Sequence, residues 1–128
     1  MIFEVPAGPD APFRRMLVVE DEPVLGDALG AWFQACGFEV ERAKSLAEAR
    51  IRLAGAPFHA TLLDVRLPDG DGLSLLESVR PTRTVVMSAT PDEDRYLRLG
   101  VLHHLPKPFE LAALERLVRD IAAEADAA

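Results

Sequence analysis

The sequence predicts an α/β domain in which five consecutive strand–helix units build a parallel sheet. Short runs rich in Val and Leu alternate with segments of helical periodicity from about residue 14 onward. The 128 residues suit one folded domain with a sizeable core. Four of the apolar runs also end on polar or charged side chains: 16–19 on Glu20 and Asp21, 60–63 on Asp64, 85–87 on Ser88, and 102–105 on Lys107.

The first two units have clear boundaries. A strand over residues 15–20 precedes a helix over 23–36, which begins at a proline and ends before Gly37. The second strand, 38–43, alternates apolar and charged residues, which is typical of a half-exposed edge strand. Ser45 and Glu48 form a capping-box pair, so the next helix begins there and ends near residue 55.

The remaining units follow the same pattern. The third strand, 60–64, is nearly all apolar, which indicates a central strand that is covered on both faces. The rest of the chain predicts a helix over 71–79, a strand over 85–88, a short polar helix over 91–99, a strand over 101–105 and a last helix from about 110.

Composition and charge exclude several classes of protein. The hydrophobic fraction of 49% and charged fraction of 27% are those of a soluble globular protein, and no apolar run could span a bilayer. A net charge of -7 argues against direct nucleic-acid binding and indicates no membrane partner. Residues 1–13 contain three prolines and two acids, so we expect a flexible Pro-rich leader rather than a secretory signal, and a cytoplasmic protein. Cys36 lies on a helical apolar stripe and is predicted to be a buried hydrophobe.

The polar residues at the strand ends are expected to share one cleft. In a parallel sheet the carboxyl ends of the strands meet at one edge, where such folds bind ligands. Two carboxylates about 5 Å apart repel by roughly 3 kcal/mol at an effective dielectric near 20, so the cleft needs a cation. Few, hard oxygen ligands favour Mg²⁺, whereas the soft or multi-histidine ligands that zinc prefers are missing from this set.

Asp64 is the candidate nucleophile in that cleft. Its strand is the most apolar and hence central, and the following turn is expected to leave the side chain accessible. A carboxylate held by a metal can attack phosphorus and form an acyl phosphate. Lys107 and Ser88 would then supply a charge and a hydrogen bond to the phosphoryl oxygens.

Four segments carry a family resemblance. The series VVEDE (18–22), LLDVRLPDGDG (62–72), VVMSAT (85–90) and LPKPF (105–109) resembles the receiver domain of two-component response regulators, over residues 16–123. The resemblance implies a CheY-like, flavodoxin-like fold, which is a doubly wound five-stranded sheet with strand order 2-1-3-4-5 and five flanking helices. We expect this receiver domain to occupy residues 14–126.

The resemblance also implies a role for each matching residue. Asp64 corresponds to the phosphoacceptor, and Asp21, Glu20 and the Arg66 carbonyl correspond to the groups that bind Mg²⁺, with Mn²⁺ as an alternative. Lys107 precedes a peptide bond, to Pro108, that is usually cis in such domains. The remaining matches are a switch pair, Ser88 and His104, and two side chains beside the path of attacking water, Arg66 and Thr90.

The sequence departs from the family pattern at two places. The segments between residues 64 and 88 and between 88 and 100 are each about one helical turn shorter than usual, so the third and fourth helical segments are predicted to be shortened. His104 occupies the position where the family usually has an aromatic switch residue, and a histidine there adds polarity.

The function expected from the residues and the resemblance is phosphoacceptor signalling. A histidine kinase or phosphotransfer protein would supply the phosphoryl group, and a downstream protein would bind the face formed by the fourth helix, fifth strand and fifth helix. The domain would be a monomer or a weak phosphorylation-dependent dimer, and it would catalyse only its own phosphorylation and dephosphorylation.

Two alternatives belong to other classes. A phosphohydrolase of the haloacid dehalogenase type also uses an aspartate at a strand end, but it needs a second aspartate where this chain has Arg66. An interaction module could keep the fold and signal without phosphorylation. The acidic turn at residues 20–22 could also be a solvated helix start, where negative charge favours the helix dipole.

Overall fold

The computed structural model describes residues 15–127, and the leader predicted for residues 1–13 lies outside the described residues. Within that range a parallel sheet of five strands has the order β2-β1-β3-β4-β5, as predicted. The strands are β1 (Arg15–Val19), β2 (Glu39–Ala43), β3 (Ala60–Asp64), β4 (Thr84–Ser88) and β5 (His103–Pro106). The edge position predicted for β2 is also confirmed.

The α-helices of the described range are α1 (Pro23–Ala35), α2 (Leu46–Leu53), α3 (Glu93–Arg98) and α4 (Leu111–Ala127). The third helical segment differs from the predicted α-helix over 71–79: it is a 3₁₀ helix, Gly72–Glu77, followed by a short 3₁₀ turn, Pro81–Arg83. The segment between β3 and β4 also contains a short hairpin, Arg66–Leu67 with Gly70–Asp71, which uses residues that could otherwise form helical turns. Pro81 lacks the N–H that would continue a helix. No helix in the described range combines the length and apolar character of a membrane span.

The sheet is covered on both faces by helices. Alternate residues of β1 point to opposite sides, so Met16 contributes to the core beneath α1 and α4, whereas Leu17 contributes to the core beneath α2, α3 and the 3₁₀ helix. All four residues from Met16 to Val19 are fully buried. This two-sided burial explains why the central strands are continuous apolar runs, and each fully buried Leu or Val contributes about 1.5–3 kcal/mol.

Cys36 closes α1 inside the first of these cores, as predicted. Its side chain is fully buried, and burial raises the pKa of its thiol to about 11, with the nearby carboxylate of Glu115 adding to the shift. The thiol therefore stays protonated at neutral pH. It acts as a small hydrophobe rather than a nucleophile.

A glycine motif ends α1 where the sequence predicts. Gly37 has a φ of 101°, a conformation that glycine adopts without steric cost. The N–H groups of Gly37 and Phe38 donate to the carbonyls of Gln34 and Phe33, both at 3.0 Å. The rings of Phe33 and Phe38 meet edge to face with centroids 5.9 Å apart, which completes the hydrophobic contact of this cap.

The same motif explains why β5 begins two residues later than predicted. Gly100 has a φ of 80° and its N–H donates to Leu97, while the N–H of Val101 donates to the carbonyl of Tyr96 at 2.9 Å. Val101 is buried as the apolar residue of this helix cap. Its backbone donor is therefore used by α3, and sheet pairing starts only at His103.

A short antiparallel hairpin follows β3, pairing Arg66–Leu67 with Gly70–Asp71. Asp69 lies at its tip and accepts hydrogen bonds from the N–H groups of Leu46 at 2.8 Å and Ala47 at 3.0 Å. The start of α2 is thus capped by Asp69 in addition to Ser45, whose hydroxyl accepts from Glu48 N as the sequence predicts. This long-range cap holds the hairpin against α2.

Replacing the cap should change how stability depends on pH. The hydrogen bonds from Leu46 and Ala47 lower the pKa of Asp69, so its stabilisation is present above the carboxyl pKa of the unfolded chain. That stabilisation disappears as the pH falls through the lower pKa of the folded state. Asp69→Asn should lower the urea midpoint at pH 7, and the gap to wild type should close toward pH 3.

Urea unfolding followed by circular dichroism measures both midpoints. Asp120→Asn, at an exposed position on α4, is the matched control and should differ little from wild type at either pH. A gap between wild type and Asp69→Asn that stays constant from pH 7 to pH 3 would contradict the role of the Asp69 carboxylate.

Candidate functional site

Three carboxylates meet at the carboxyl-terminal edge of the sheet. Glu20 and Asp21 follow β1, and Asp64 is the last residue of the neighbouring strand β3, which pairs with β1 up to the Val19–Leu63 register. One carboxylate oxygen from each lies within 4.8 Å of the other two. The convergence that the strand pattern predicts is therefore present in the structure.

Lys107 follows the edge strand β5 and brings a positive charge into this acidic cluster. Its backbone N–H donates to the carbonyl of Ser88 at 2.8 Å, which fixes the start of the segment after β5. Its Nζ lies 2.5 Å from Glu20 Oε1 and 3.3 Å from Asp64 Oδ2. The peptide bond between Lys107 and Pro108 is cis, as the resemblance implies.

Burial shapes the protonation of this ion pair. Glu20 is only 1% exposed, and burial together with the Asp64 carboxylate raises its pKa, although Lys107 opposes that shift. Burial alone would lower the pKa of Lys107, but its hydrogen bond to Glu20 and the charge of Asp64 outweigh burial, so its pKa is raised. The Lys107 side chain therefore remains an ammonium at neutral pH.

The donor set fits a divalent cation. Among the described residues, the ionised cluster of Glu20, Asp21 and Asp64 exceeds the charge of Lys107 by two negative charges. All three are hard oxygen ligands, and Asp21 is exposed while the other two are buried, so a bound ion could keep waters on the solvent side. An uncompensated excess of this kind favours Mg²⁺.

The Asp64 side chain is more deeply buried than the sequence of the turn after β3 predicts. Only 8% of its side chain is exposed, because the carboxylate lies in a tight cluster with Lys107 and Glu20 rather than projecting from the turn. Its Oδ1 accepts a hydrogen bond from the N–H of Arg66 at 3.3 Å, and its Oδ2 faces Lys107. A reacting group therefore has only a small exposed part of the Asp64 side chain to approach.

Gly72 is a site residue that sequence reasoning missed. Its N–H donates to the carbonyl of Val65 at 2.7 Å, and a Cβ at this position would lie 1.9 Å from the carbonyl oxygen of Asp64. Only glycine allows the 3₁₀ helix to pass so close beneath the end of β3. In the sequence, Gly72 is the second glycine of the run D-G-D-G (69–72) and resembles an ordinary turn residue. Its close approach to Asp64 is therefore visible only in the fold.

Ser88 lies at the end of β4, next to Asp64 on β3. Asp64 pairs in register with Met87, the residue before Ser88. The hydroxyl of Ser88 is buried and its Oγ accepts a hydrogen bond from the N–H of Thr90 at 3.0 Å. Its O–H can therefore still be donated to another group. The side chains of Thr90 and Arg66 are exposed.

His104 lies apart from the cluster of Glu20, Asp21 and Asp64 and packs against α3. Its ring centroid is 5.4 Å from that of Tyr96, and its Nε2 is 3.5 Å from Glu93 Oε1. Tyr96 is buried, whereas 30% of the His104 side chain is exposed. His104 therefore connects β5 to α3 rather than contributing to the acidic cluster.

Comparison with known proteins identifies relatives along nearly the whole described chain. The family model of the response regulator receiver domain matches residues 16–119. The chain is 39% identical over 110 residues to the transcriptional activator protein PfeR of Pseudomonas aeruginosa, with 81% of this chain and 36% of that protein covered. The chain thus spans well under two thirds of the length of the curated relatives it matches first.

Solved structures share the fold. A CheY-like response regulator receiver domain protein from Methanospirillum hungatei superposes with a TM-score of 0.80 at 24% identity, covering 89% of this chain and 97% of that one. The receiver domain of the sensor histidine kinase PA1611 from Pseudomonas aeruginosa has a TM-score of 0.74 at 26% identity, covering 87% and 98%. That structure has a magnesium ion coordinated in its active-site cleft.

Removing one carboxylate should weaken magnesium binding. Asp21→Asn should lower the Mg²⁺ affinity at least about tenfold, because one unit charge beside a divalent ion contributes more than about 1.4 kcal/mol even at an effective dielectric near 20. Isothermal titration calorimetry at pH 7 measures the affinity. Glu22→Gln, which changes the neighbouring carboxylate outside the cluster, is the matched control, and equal losses in both variants would contradict the site.

Proposed function

The chain belongs to the response regulator receiver domain family, and we propose that its Asp64 accepts a phosphoryl group from a histidine kinase or a phosphotransfer protein. Receiver domains of this family serve phosphorylation-dependent signalling. The observation that carries the proposal is that the Asp64 carboxylate lies 3.3 Å from the Lys107 ammonium and within 4.8 Å of carboxylate oxygens of Glu20 and Asp21.

The proposed transfer is a single displacement at phosphorus. One Asp64 oxygen forms a bond to phosphorus, the bond from phosphorus to the donor histidine nitrogen breaks, and the imidazole leaves with the electron pair. The Arg66 N–H at 3.3 Å and the Lys107 Nζ at 3.3 Å hold the carboxyl group in place. Catalysis is then mainly positioning and electrostatic stabilisation, and the domain promotes only its own modification.

Asp21, Glu20, Asp64 and the Arg66 carbonyl are the groups that would hold Mg²⁺, with Mn²⁺ as an alternative of similar ligand preference. The bound ion would neutralise negative charge on the carboxylates and on the transferring phosphoryl group. Lys107 adds a positive charge beside both Asp64 and Glu20, and its ammonium can pair with a phosphoryl oxygen.

A hollow beside Lys107 supports an approach route for the phosphoryl donor. It has a volume of about 480 Å³ and lies between the start of α1 and the segment after β5. Val24, Leu25 and Phe109 supply apolar lining, and Val24 is 77% exposed. An amphipathic helix of the donor protein could cover these side chains and bring its phosphohistidine to Asp64.

The proposed output runs through Ser88 and His104. Once Asp64 is phosphorylated, the Ser88 hydroxyl would donate to a phosphoryl oxygen. The movement of Ser88 would shift a pre-existing equilibrium between two conformations of the output face. This face consists of α3, β5 and α4, which are the predicted fourth helix, fifth strand and fifth helix. A hollow of about 240 Å³ on this face is lined by His104, Tyr96 and the exposed Leu97 and Leu102. A downstream protein would bind there, with the domain a monomer or a weak phosphorylation-dependent dimer.

The competing functions have less support. A haloacid dehalogenase-type hydrolase needs a second aspartate two residues after the nucleophile, where this chain has Arg66 with an exposed side chain. An interaction module without phosphorylation does not account for the clustered acids beside Lys107. The net charge of -7 predicts that this chain does not contact nucleic acid directly, and that stays a prediction. The relatives that are named as transcriptional regulators are much longer than this chain.

Loss of the nucleophile should abolish phosphorylation. After treatment with acetyl phosphate and Mg²⁺, intact-mass spectrometry should detect a labile phosphoryl adduct on wild type and none on Asp64→Asn, because an amide oxygen does not form the acyl phosphate. Asp69→Asn removes a nearby carboxylate outside the cluster and should retain the adduct. An adduct of equal abundance on Asp64→Asn would refute the proposal.

The side chain of Arg66 should lengthen the lifetime of the phosphorylated state. Its side chain is exposed, two residues after Asp64, where the guanidinium would hinder attacking water. Arg66→Ala should shorten the half-life of the adduct severalfold in a mass-spectrometric time course. Arg98→Ala, on α3, is the control, and a half-life unchanged by Arg66→Ala would remove this role.

A further inference from the structure

An ion pair joins α3 to the hairpin that follows Asp64. Arg95 lies on α3, and its guanidinium donates to Asp71 Oδ2 at 2.6 Å. Asp71 is the last residue of the hairpin. The other ion pair that the described residues show for α3, between Glu93 and His104, connects the helix to β5 instead. The Arg95–Asp71 pair is therefore the charged link between α3 and the segment after β3.

The Asp71 carboxylate has a different partner for each of its oxygens. Its Oδ1 accepts from the N–H of Leu73 at 2.9 Å and so caps the 3₁₀ helix, while its Oδ2 accepts from Arg95. The Ser74 hydroxyl donates to the backbone carbonyl of Asp71 at 2.8 Å. These bonds fix the Asp71 side chain in one orientation, with one oxygen directed at the 3₁₀ helix and the other at α3.

The backbone connects Asp71 to Asp64 at two points. Asp71 pairs with Arg66 across the hairpin, and the N–H of Arg66 donates to Asp64 Oδ1 at 3.3 Å. The next residue, Gly72, donates its N–H to the carbonyl of Val65 at 2.7 Å. A displacement of Asp71 would therefore move the backbone groups that hold the Asp64 carboxylate in place.

The position of α3 depends on its tertiary contacts. The helix has only six residues, which is too few for a helix that is stable in isolation. Tyr96, the residue after Arg95, is buried, and its ring centroid lies 5.4 Å from that of His104 on β5. The helix is thus attached to the hairpin by Arg95 and to β5 by Tyr96.

We propose that Arg95 is a positioning residue for the phosphorylation of Asp64 and acts through Asp71. This inference rests on the proposed function and deepens it. The ion pair holds the hairpin, and with it the Arg66 backbone, in the arrangement that keeps the Asp64 carboxylate ready for a phosphoryl group. Because coupling between two sites is reciprocal, a phosphoryl group on Asp64 strengthens the pair and holds α3 more firmly against the hairpin.

This connection is separate from the one through Ser88. Ser88 ends β4 and reaches α3 through the loop before the helix, whereas Arg95 attaches the helix itself to the segment after β3. The Arg95 and Asp71 side chains are 41% and 40% exposed, so water screens their attraction. The expected effect of the pair on binding at Asp64 is therefore modest.

The test uses beryllofluoride, which mimics a phosphoryl group on a carboxylate. It is titrated with saturating Mg²⁺ into the full 128-residue chain and followed by ¹H–¹⁵N NMR. Arg95→Gln should bind beryllofluoride about threefold more weakly than wild type, which corresponds to about 0.7 kcal/mol. Arg98→Gln, at an exposed position on the same helix, is the matched control and should bind like wild type.

A double-mutant cycle separates the ion pair from a general weakening of α3. Asp71→Asn removes the charge but keeps a side-chain oxygen that can accept from Leu73, and it should weaken binding about as much as Arg95→Gln. In the Asp71→Asn background, Arg95→Gln should cause no further loss, because its partner is already missing. A merely structural role of Arg95 within α3 would give the same loss in both backgrounds.

Two results would overturn this inference and leave the proposed function standing. In the first, wild type and Arg95→Gln bind beryllofluoride equally tightly. In the second, Arg95→Gln causes the same loss with and without the Asp71 carboxylate. Failure of wild type to bind beryllofluoride would overturn the proposed function and this inference together. Native-like shifts of the β1 and β4 amides in each variant show that the fold is intact.

Discussion

The ion pair between Lys107 and the buried Glu20 is the interaction on which the site depends. It connects the residue after β1 with the segment after β5, across the two strands between them. Glu20 is nearly sealed from water, and its negative charge beside Asp64 would be costly without a cation nearby. Lys107 offsets part of that cost and also faces Asp64, so the same ammonium stabilises the fold and holds the Asp64 carboxylate.

This compensation is incomplete, and the remaining excess of negative charge makes the site ready for a divalent ion. Neutral, well-packed side chains at these positions would make the fold more stable, whereas a larger excess of negative charge would be too costly to bury. The segments that follow β3 hold the Asp64 side of the cluster in place. Gly72 lets the following 3₁₀ helix pass against the carbonyl of Asp64, and Asp69 ties the intervening hairpin to the start of α2. The segment after Asp64 is thereby fixed at both of its ends.

The two ends of the parallel sheet have opposite electrostatic character. The carboxyl-terminal edge concentrates acids around Asp64, while the amino-terminal edge carries Arg80 and Arg83 beside His59. Parallel strands permit this division because all their carboxyl ends face one way and all their amino ends the other. Arg80 and Arg83 lie between the 3₁₀ helix Gly72–Glu77 and β4.

The sequence by itself determined the fold class, the strand order through the family resemblance, and the cluster of Glu20, Asp21, Asp64 and Lys107. Periodicity and strand-end position are local properties, and parallel strands bring their ends together without further information. Tertiary structure alone decided the later start of β5, the recess of Asp64, the close approach of Gly72 and the Asp69 cap on α2. Each of these depends on a contact in three dimensions, from the helix cap that joins Val101 to Tyr96 to the hydrogen bond that joins Asp69 to Leu46. A one-dimensional pattern contains no measure of such distances.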